Sequence, residues 1–564
     1  MPAPILLGES NFIPLRRAGK LYVDKSMFVR EVIEAHAVAM LFPRPRRFGK
    51  TLNLSMLQAF FEIGPDRSAL FEDLAIWTDP VSRPHFQAHP VIKVTFKDVK
   101  DRTWAGAEIA IKGVLAAEVD RHHAAVTDDR VPSGVRERLA AVLHQKGDPK
   151  RTLLDLSHAL AIHHSSVDAA GATVHAGVVL LIDEYDAGIL EAWEHGYYDA
   201  AVSFFKSLLS PGLKDNPYLF KGVLTGILRV SRESMFSDLN NLIVYSLLAT
   251  GRPENYGFTE PEVLALLEAF GRSAEADEVR HWYNGYRFGG TTVYNPWSIL
   301  TMLAQPGQPL APHWLNTSAN GLVRSLLLQS PDLGPDVETL LGGGSIETRI
   351  EENVPLRALA GHHVWGLLLF SGYLKPNRVW VDQGETFATL SIPNAEVRLV
   401  WRDTFRSWLE DHTRGLSPLP GAILAGDAPT IERILTHMLL THASSHDVST
   451  DQDEAFYHAF VLGLLVTLER THTVRSNRET GDGRADLLIT PRQPGLPGVI
   501  LEFKRRRGKT PLATSARAAL KQIQDRQYAV ELESAGANPI HRLGIAFGGK
   551  DVAVRGGRGK SAAR

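Results

Sequence analysis

The sequence predicts an α/β protein in three parts: a parallel-sheet domain, a mostly helical middle region and a C-terminal unit of order αβββαβ. Three observations predict it. The first ~250 residues alternate short apolar strand-like runs with helical patterns, as a parallel sheet with crossover helices requires. The stretch 251–418 keeps a helical pattern, punctuated by aromatic and Pro/Gly clusters. After it the rhythm changes again, to one helix, three strands, a helix and a strand. The expected boundaries are 1–250, 251–420 and 421–551, with a basic tail, 552–564, rich in Gly and Arg and expected to be disordered.

In the N-terminal part the expected strands are Ala39–Phe42, Val91–Phe96, Val178–Ile182 and Tyr218–Thr225. Leu52–Phe61 and Trp104–Asp120 carry helical patterns between them. The polar, His-containing stretch Ala124–Ala176 reads as a helical insertion. In the middle, His281–Tyr286 (HWYNGY), Tyr294–Trp297 (YNPW) and Trp314–Thr317 (WLNT) read as turn and packing motifs. Leu341–Ser345 is a loop and Leu416–Gly421 a linker. The last part is a helix (Glu454–Arg470), three strands (Thr473–Ser476, Arg484–Thr490, Val499–Lys504), a helix (Leu512–Ser534) and a strand (Leu543–Phe547).

The chain has 564 residues, 44% of them hydrophobic, which is enough for about three domains with substantial cores. It has no cysteine. That excludes disulfides, thiolate zinc sites, iron–sulfur clusters and cysteine nucleophiles, and fits a reducing compartment. Lys and Arg total 61 and Asp and Glu 63, a net charge of -2. This balance excludes a uniformly basic nucleic-acid coat but not a local basic groove. The N-terminus lacks a signal-peptide pattern. The apolar runs Val178–Ile182 and Val461–Leu468 fall well short of the ~20 residues of a spanning helix. The expectation is a cytoplasmic protein without a membrane segment. No fixed-period repeat is present.

Arg44-Pro45-Arg46-Arg47-Phe48-Gly49-Lys50-Thr51 lies between a predicted strand and a predicted helix. A Walker A loop sits in that position, with backbone N–H groups at the helix start cradling phosphate. Arg46, Arg47, Phe48 and Gly49 complete the loop. Lys50 would reach the β/γ-phosphates of ATP and Thr51 would ligate Mg²⁺. The pattern asks for Gly where Arg44 stands, so easy access to positive φ is lost there. Val178–Glu184 is an apolar strand ending in two acids, the Walker B form. Asp183 would hold the metal shell, and Glu184 would orient or deprotonate the attacking water. Thr225-Gly226 ends a further strand and suits a γ-phosphate sensor. Arg229, just beyond, would stabilise phosphoryl charge in cis or on a neighbouring subunit, which allows for a homo-oligomer. These features predict a P-loop NTPase sheet.

Several motifs here resemble the AAA-ATPase-like family, with its YVDK motif and RPRRFGK[ST] loop. They are Phe12–Arg16, Leu21–Ser26, Arg44–Thr51, Leu224–Ile227 and Phe236–Asn241, with the WYNGY and YNPWS runs. The resemblance covers about the first 320 residues. It implies that a substituted first Gly is normal in this loop.

Toward the C-terminus, Asp486 opens one strand and Glu502-Phe503-Lys504 closes the next. Alternate strand residues share a face, so Glu502 and Lys504 point together, and a hairpin neighbour sets Asp486 beside them. Clustered carboxylates need a compensating cation. Hard oxygen ligands suit Mg²⁺ or Mn²⁺, which activates water and neutralises phosphodiester charge. Lys504 would position the water. Glu454, on the preceding helix, would add an outer carboxylate. Gln522 and Tyr528, on the following helix, would contact the site or a nucleic-acid backbone. Basic residues outnumber acidic ones from Lys504 onward, a local phosphate-attracting field. His458 reads as a helix-face residue. The pairs His122-His123, His163-His164 and His362-His363 are adjacent rather than one turn apart, and read as surface or core histidines.

This pattern resembles the PD-(D/E)XK nuclease superfamily over about Asp451–Asp551, with Ala485-Asp486 in place of Pro-Asp. The resemblance implies a restriction-endonuclease-like fold. The combined expectation is a metal-dependent nuclease, acting on nucleic acid and most naturally DNA, whose activity the ATP site regulates. A partner at the middle region is expected but not identified. The rival is an ATP-dependent signalling switch whose C-terminal domain binds nucleic acid without cutting it. A role in defence against foreign DNA follows by analogy alone.

Overall fold

The computed structural model describes residues 2–167, 171–229, 239, 241–249, 253–314, 334–353, 356, 359, 362–402, 418–442, 468, 471–476, 486–506, 510–525, 529–548 and 551–558. They fall into two compact units, Met1–Asn316 with Glu347–Val397, and Thr317–Ile346 with Arg398–Arg564. The expected helix Glu454–Arg470, apart from Leu468, and the residues Glu454, His458 and Tyr528 lie outside the described residues.

The first unit is built on strands β1 (Ala39–Pro43), β2 (Val91–Thr95), β5 (Val178–Asp183), β6 (Leu219–Gly226) and β7 (Leu242–Val244). Every residue of β1 and β5 is buried. Near-continuous apolar strands of this kind belong to parallel sheets covered on both faces. The order is β2-β5-β6-β1-β7 and all neighbours run parallel. Pro43 pairs with Gly226 and Ile182 with Leu224, so β1, β6 and β5 end along one edge. In such sheets ligands sit at the carboxyl edge.

Four of the five strands match the expected ones to within a residue at their ends, while β7 was not foreseen. The helices Lys50–Phe61 and Trp104–Arg121 also match. The expected insertion holds the helices Ser133–Leu143 and Thr152–His163, and a small hairpin of β3 (Ser166–Val167) with β4 (Thr173–Val174).

To its helices the middle region adds two small antiparallel sheets. One is β8 (Phe258–Thr259), β9 (Tyr286–Phe288) and β10 (Thr291–Tyr294), in the order β8-β10-β9. The other is β11 (Ile346–Arg349), β12 (Lys375–Asp382) and β13 (Glu385–Ser391), in the order β11-β13-β12. Tyr294 leads into Asn295, whose side chain caps the helix Pro296–Leu303 by accepting from Trp297 N at 2.9 Å. The Tyr22–Ser26 run is a staple. Asp24 accepts from Ala75 N at 2.8 Å, and Lys25 bonds both oxygens of Glu262 at 2.6 and 2.8 Å. Glu262 also closes the capping box of the helix Glu260–Ala269.

The second unit centres on β14 (His472–Ser476), β15 (Leu487–Pro491), β16 (Gly498–Arg505), β17 (Ile540–Gly548) and β18 (Asp551–Arg558), side by side in that order. Only the β16–β17 pair is parallel. Leu487, Leu501, Phe503 and Val554 pack on one face with Ile431 and Leu435 of the helix Ala428–His442. Ile500 and Leu488 pack on the other with Ile523 and Leu532.

Within the predicted helix Leu512–Ser534 lie the helices Leu512–Asp525 and Ala529–Ser534, and residues 526–528 between them are outside the described residues. Two expectations change here. Part of the expected linker, Leu419–Gly421, opens the helix Leu419–Leu424, because Leu419 and Ile423 are core residues. Residues 552–558 of the expected disordered tail form β18, paired along its length with β17. Val552, Ala553 and Val554 are all buried, the two valines in one core cluster and Ala553 in another, an apolar run that the Gly/Arg composition masked.

Candidate functional site

Each unit holds its own cluster of candidate residues. In the first, β1 delivers the chain into Arg44–Gly49, and the helix Lys50–Phe61 follows at once. Arg44 does not need the glycine conformation, because its φ is not positive. The left-handed residues of the loop are Arg47 (φ 68°) and Gly49 (φ 81°). Arg44 instead sends its side chain inward. Its Nη1 donates to Pro43 O at 2.8 Å and to Tyr245 O at 2.6 Å, and the guanidinium lies over the rings of Tyr256 and Phe288. Burial pushes its pKa down to about 10.

The loop is braced from the middle region. The Arg47 guanidinium lies 3.8 Å from the Trp297 ring centre, and Phe48 packs edge-on against Tyr286 at 5.0 Å. The WYNGY and YNPWS motifs are therefore loop supports. Arg46 is half-buried.

Lys50 is 5% exposed, and its ammonium donates to Arg44 O at 2.9 Å and Pro45 O at 2.8 Å. Burial lowers its pKa, opposed by Glu184 and Asp183. Thr51 Oγ1 donates to Asp183 Oδ2 at 2.7 Å, and Thr225 Oγ1 to Asp183 Oδ1 at 2.6 Å. The sheet order makes this possible, because β6 carries Thr225 between the strands bearing the loop and Asp183. Glu184 has φ 48°, a strained backbone for a non-glycine residue. Arg229 is ion-paired with Glu352 at 3.6 Å.

Asp186 was missed. It is 1% exposed and accepts from Ile227 N and Leu228 N, both at 2.8 Å. Burial raises its pKa to about 6, against those hydrogen bonds and Lys50. The signal for it was a third acid in the Asp183-Glu184-Tyr185-Asp186 run. Gly226 is forced by it: a Cβ there would lie 2.6 Å from Asp186 Oδ1. A cavity of about 90 Å³ opens beside Gly49, walled by Leu21, Tyr22, Leu52, Phe258 and Leu300. Asn53, also in its wall, donates to Asn255 O at 2.8 Å.

In the second unit Leu487 pairs with Leu501, so the antiparallel register runs on to set Asp486 opposite Glu502. Asp486 Oδ2 accepts from Phe503 N at 2.7 Å. Glu502 is 2% exposed and lies 3.8 Å from the Lys504 ammonium. Gln522, on the helix Leu512–Asp525, donates to Glu502 Oε1. Gly544 pairs with Glu502 across β17, and a Cβ there would lie 2.4 Å from Ala516 O. Its absence lets that helix lie against the sheet and bring Gln522 to the acid. The structure thus gathers Asp486, Glu502, Lys504 and Gln522. A wider groove of about 720 Å³, lined by Glu432, Arg433, His437 and Arg555, is formed by the helix Ala428–His442 and β18. Its helix packs on the face opposite Glu502, so groove size does not mark the acids.

The two clusters coincide with two family matches. Residues 6–236 match a predicted AAA-ATPase family, and residues 452–555 match the PD-(D/E)XK nuclease superfamily. The chain joins an AAA-ATPase-like domain to a PD-(D/E)XK nuclease-superfamily domain. An uncharacterized protein in the vnfD 5′ region of Azotobacter chroococcum mcd 1 is 25% identical over 571 residues, covering 96% of both chains. A solved structure, a Walker-type ATPase of Pyrococcus abyssi, is similar at 13% identity and a TM-score of 0.35, over 67% of this chain and 94% of that one. Among the described residues no helix is long and apolar enough to cross a membrane.

In the AAA-ATPase-like domain, Asp183 flanked by two hydroxyls is a hard-oxygen donor set that fits Mg²⁺. In the nuclease-superfamily domain, the carboxylates of Asp486 and Glu502 at a strand end fit Mg²⁺ or Mn²⁺.

Proposed function

We propose that this chain is an ATP-binding, metal-dependent nuclease that hydrolyses phosphodiester bonds in DNA, with nucleotide state regulating cleavage. The observation that carries the reading is the convergence of Asp486, Glu502, Lys504 and Gln522 on one strand end. A bound Mg²⁺ would activate water and neutralise phosphodiester charge. Asp486 and Glu502 hold such an ion. Lys504, with its side chain 38% exposed, reaches toward solvent to orient the water or meet the developing charge. Gln522 fixes the Glu502 carboxylate.

At the other site Lys50 exchanges the carbonyls of Arg44 and Pro45 for the β/γ-phosphate oxygens. Asp183 and Thr51 would hold the cation, Glu184 would orient the water, and Thr225 would read the γ-phosphate. Arg229 leaves Glu352 when phosphoryl charge develops.

The test is cleavage of supercoiled plasmid and single-stranded DNA with Mg²⁺ or Mn²⁺, with and without ATP. Cutting that disappears in Asp486→Ala supports the nuclease, and its dependence on Lys50 supports the regulation. Retention of DNA without cutting under every condition overturns the nuclease reading.

A further inference from the structure

We propose that Glu351, His362 and His363 form a binding site for a divalent transition metal of the zinc type, separate from both sites above. Glu351 lies just beyond β11, and the two histidines open the helix His362–Phe370. One ligand atom from each lies within 4.8 Å of the other two. His362 Nε2 is 3.4 Å from Glu351 Oε1, and His363 Nδ1 is 3.6 Å from Glu351 Oε2. A tetrahedral ion with bonds of about 2.0–2.1 Å spaces its ligands about 3.4 Å apart, so small side-chain rotations close the set.

The contacts are poor as hydrogen bonds. Both are longer than a good N–H···O bond, and His363 Nδ1 is buried with no hydrogen-bond partner. The imidazoles lie 4.0 Å apart between ring centres, which two protonated rings would resist.

An outer shell is already built. Arg349 Nη2 pairs with Glu351 Oε1 at 2.8 Å, and its Nη1 is held by Glu385 at 2.8 Å. Metal-ligating carboxylates are oriented by such partners. Two imidazoles and one carboxylate select zinc-like ions over Mg²⁺, and the site is part-exposed (His362 36%, His363 17%, Glu351 32%), so water fills the remaining position. The next residue, Glu352, pairs with Arg229 and accepts from Ser246 Oγ at 2.9 Å. An ion here would pin the segment that positions Arg229 to the helix His362–Phe370.

The experiment is Co²⁺ titration of the metal-stripped full chain in excess Mg²⁺, which fills the hard-oxygen sites. The expected result is one Co²⁺ per chain with tetrahedral visible absorption, displaced by Zn²⁺, and a Zn²⁺-dependent rise in Tm. His362→Ala and His363→Gln lose the absorption, and Arg349→Gln, which keeps all three ligands, weakens affinity about 10- to 100-fold. Asp486→Ala keeps it. No Co²⁺ binding below about 10 μM, unchanged absorption in both histidine variants, or its loss in Asp486→Ala instead overturns the proposal.

Discussion

The two clusters, which the proposed function sets against phosphate groups, are built in opposite ways. Around the loop of the first unit, Lys50, Thr51, Asp183 and Thr225 each have a hydrogen-bond partner inside the fold. Lys50 is spent on loop carbonyls, and Asp183 sits between two hydroxyls. Arg44, Arg47 and Phe48 clamp the loop to surrounding aromatics. A ligand must displace bonds there, so binding and local rearrangement are one event. At the acid cluster, Glu502 is buried and anchored, but Lys504 reaches solvent. That site stands assembled before anything binds. In the proposed function the first site is the gate and the second the blade.

The sharpest way to break the comparison is at the blade. Asp486→Asn should lower cleavage more than about 100-fold without a shift in the melting temperature of the ATPase-like domain, measured on plasmid and by calorimetry. Next is the gate. Lys50→Ala should cut ATP turnover by roughly 10²–10³-fold, read by phosphate release. Cleavage that is indifferent to Lys50→Ala would show two sites that do not communicate.

A third test uses Asp186. Its folded pKa, about 6, lies above the ordinary carboxylate value of 3.8, so the folded state binds the extra proton between these values. Stability contributed by this group therefore falls as pH rises from about 4 to 6. Relative to Asp186→Asn, the wild type should lose about 3 kcal/mol across that window, seen in paired denaturant melts. A difference that is flat with pH would mean that the carboxyl is ionised throughout.

Arg44→Gly restores the glycine of the general phosphate-loop pattern, yet it should destabilise the domain by about 2 kcal/mol and not raise ATP turnover. It leaves the Tyr245 and Pro43 carbonyls without their donor. Smallest, Gln522→Ala should slow cleavage about 10-fold with DNA retention unchanged on gels, because it loosens Glu502 without removing a ligand.

Much of this was legible in the sequence where one local rule decided the outcome. Val178–Glu184 is an unbroken apolar run ending in acids, and it is a buried strand ending at Asp183. Glu502 and Lys504 alternate on one strand, and hairpin register puts Asp486 opposite. What stayed hidden depended on partners far along the chain. Strand β7 has three residues and takes its identity from pairing with β1. Strands β8, β9 and β10 of the first middle sheet have two, three and four residues, too few to show a period. Asp186 has no local signal for burial, because the amides that hold it, Ile227 and Leu228, lie some forty residues on. Arg44 read as a missing glycine because its side-chain partners, Tyr245, Tyr256 and Phe288, lie more than 200 positions away.

The Asp186 carboxylate also has a mechanical meaning. It holds two consecutive backbone amides just past β6, and Tyr185 donates to Leu228 O at 2.6 Å. The turn after β5 and the exit from β6 are riveted together at three points, although some forty residues of chain separate them. Such loops cannot bend independently. Any event that relaxes the left-handed backbone of Glu184 must carry the Leu228–Arg229 peptide with it, as a lever moves with its pivot. Travel from Glu184 to Arg229 then needs no relay of side chains. It is the displacement of one small rigid body.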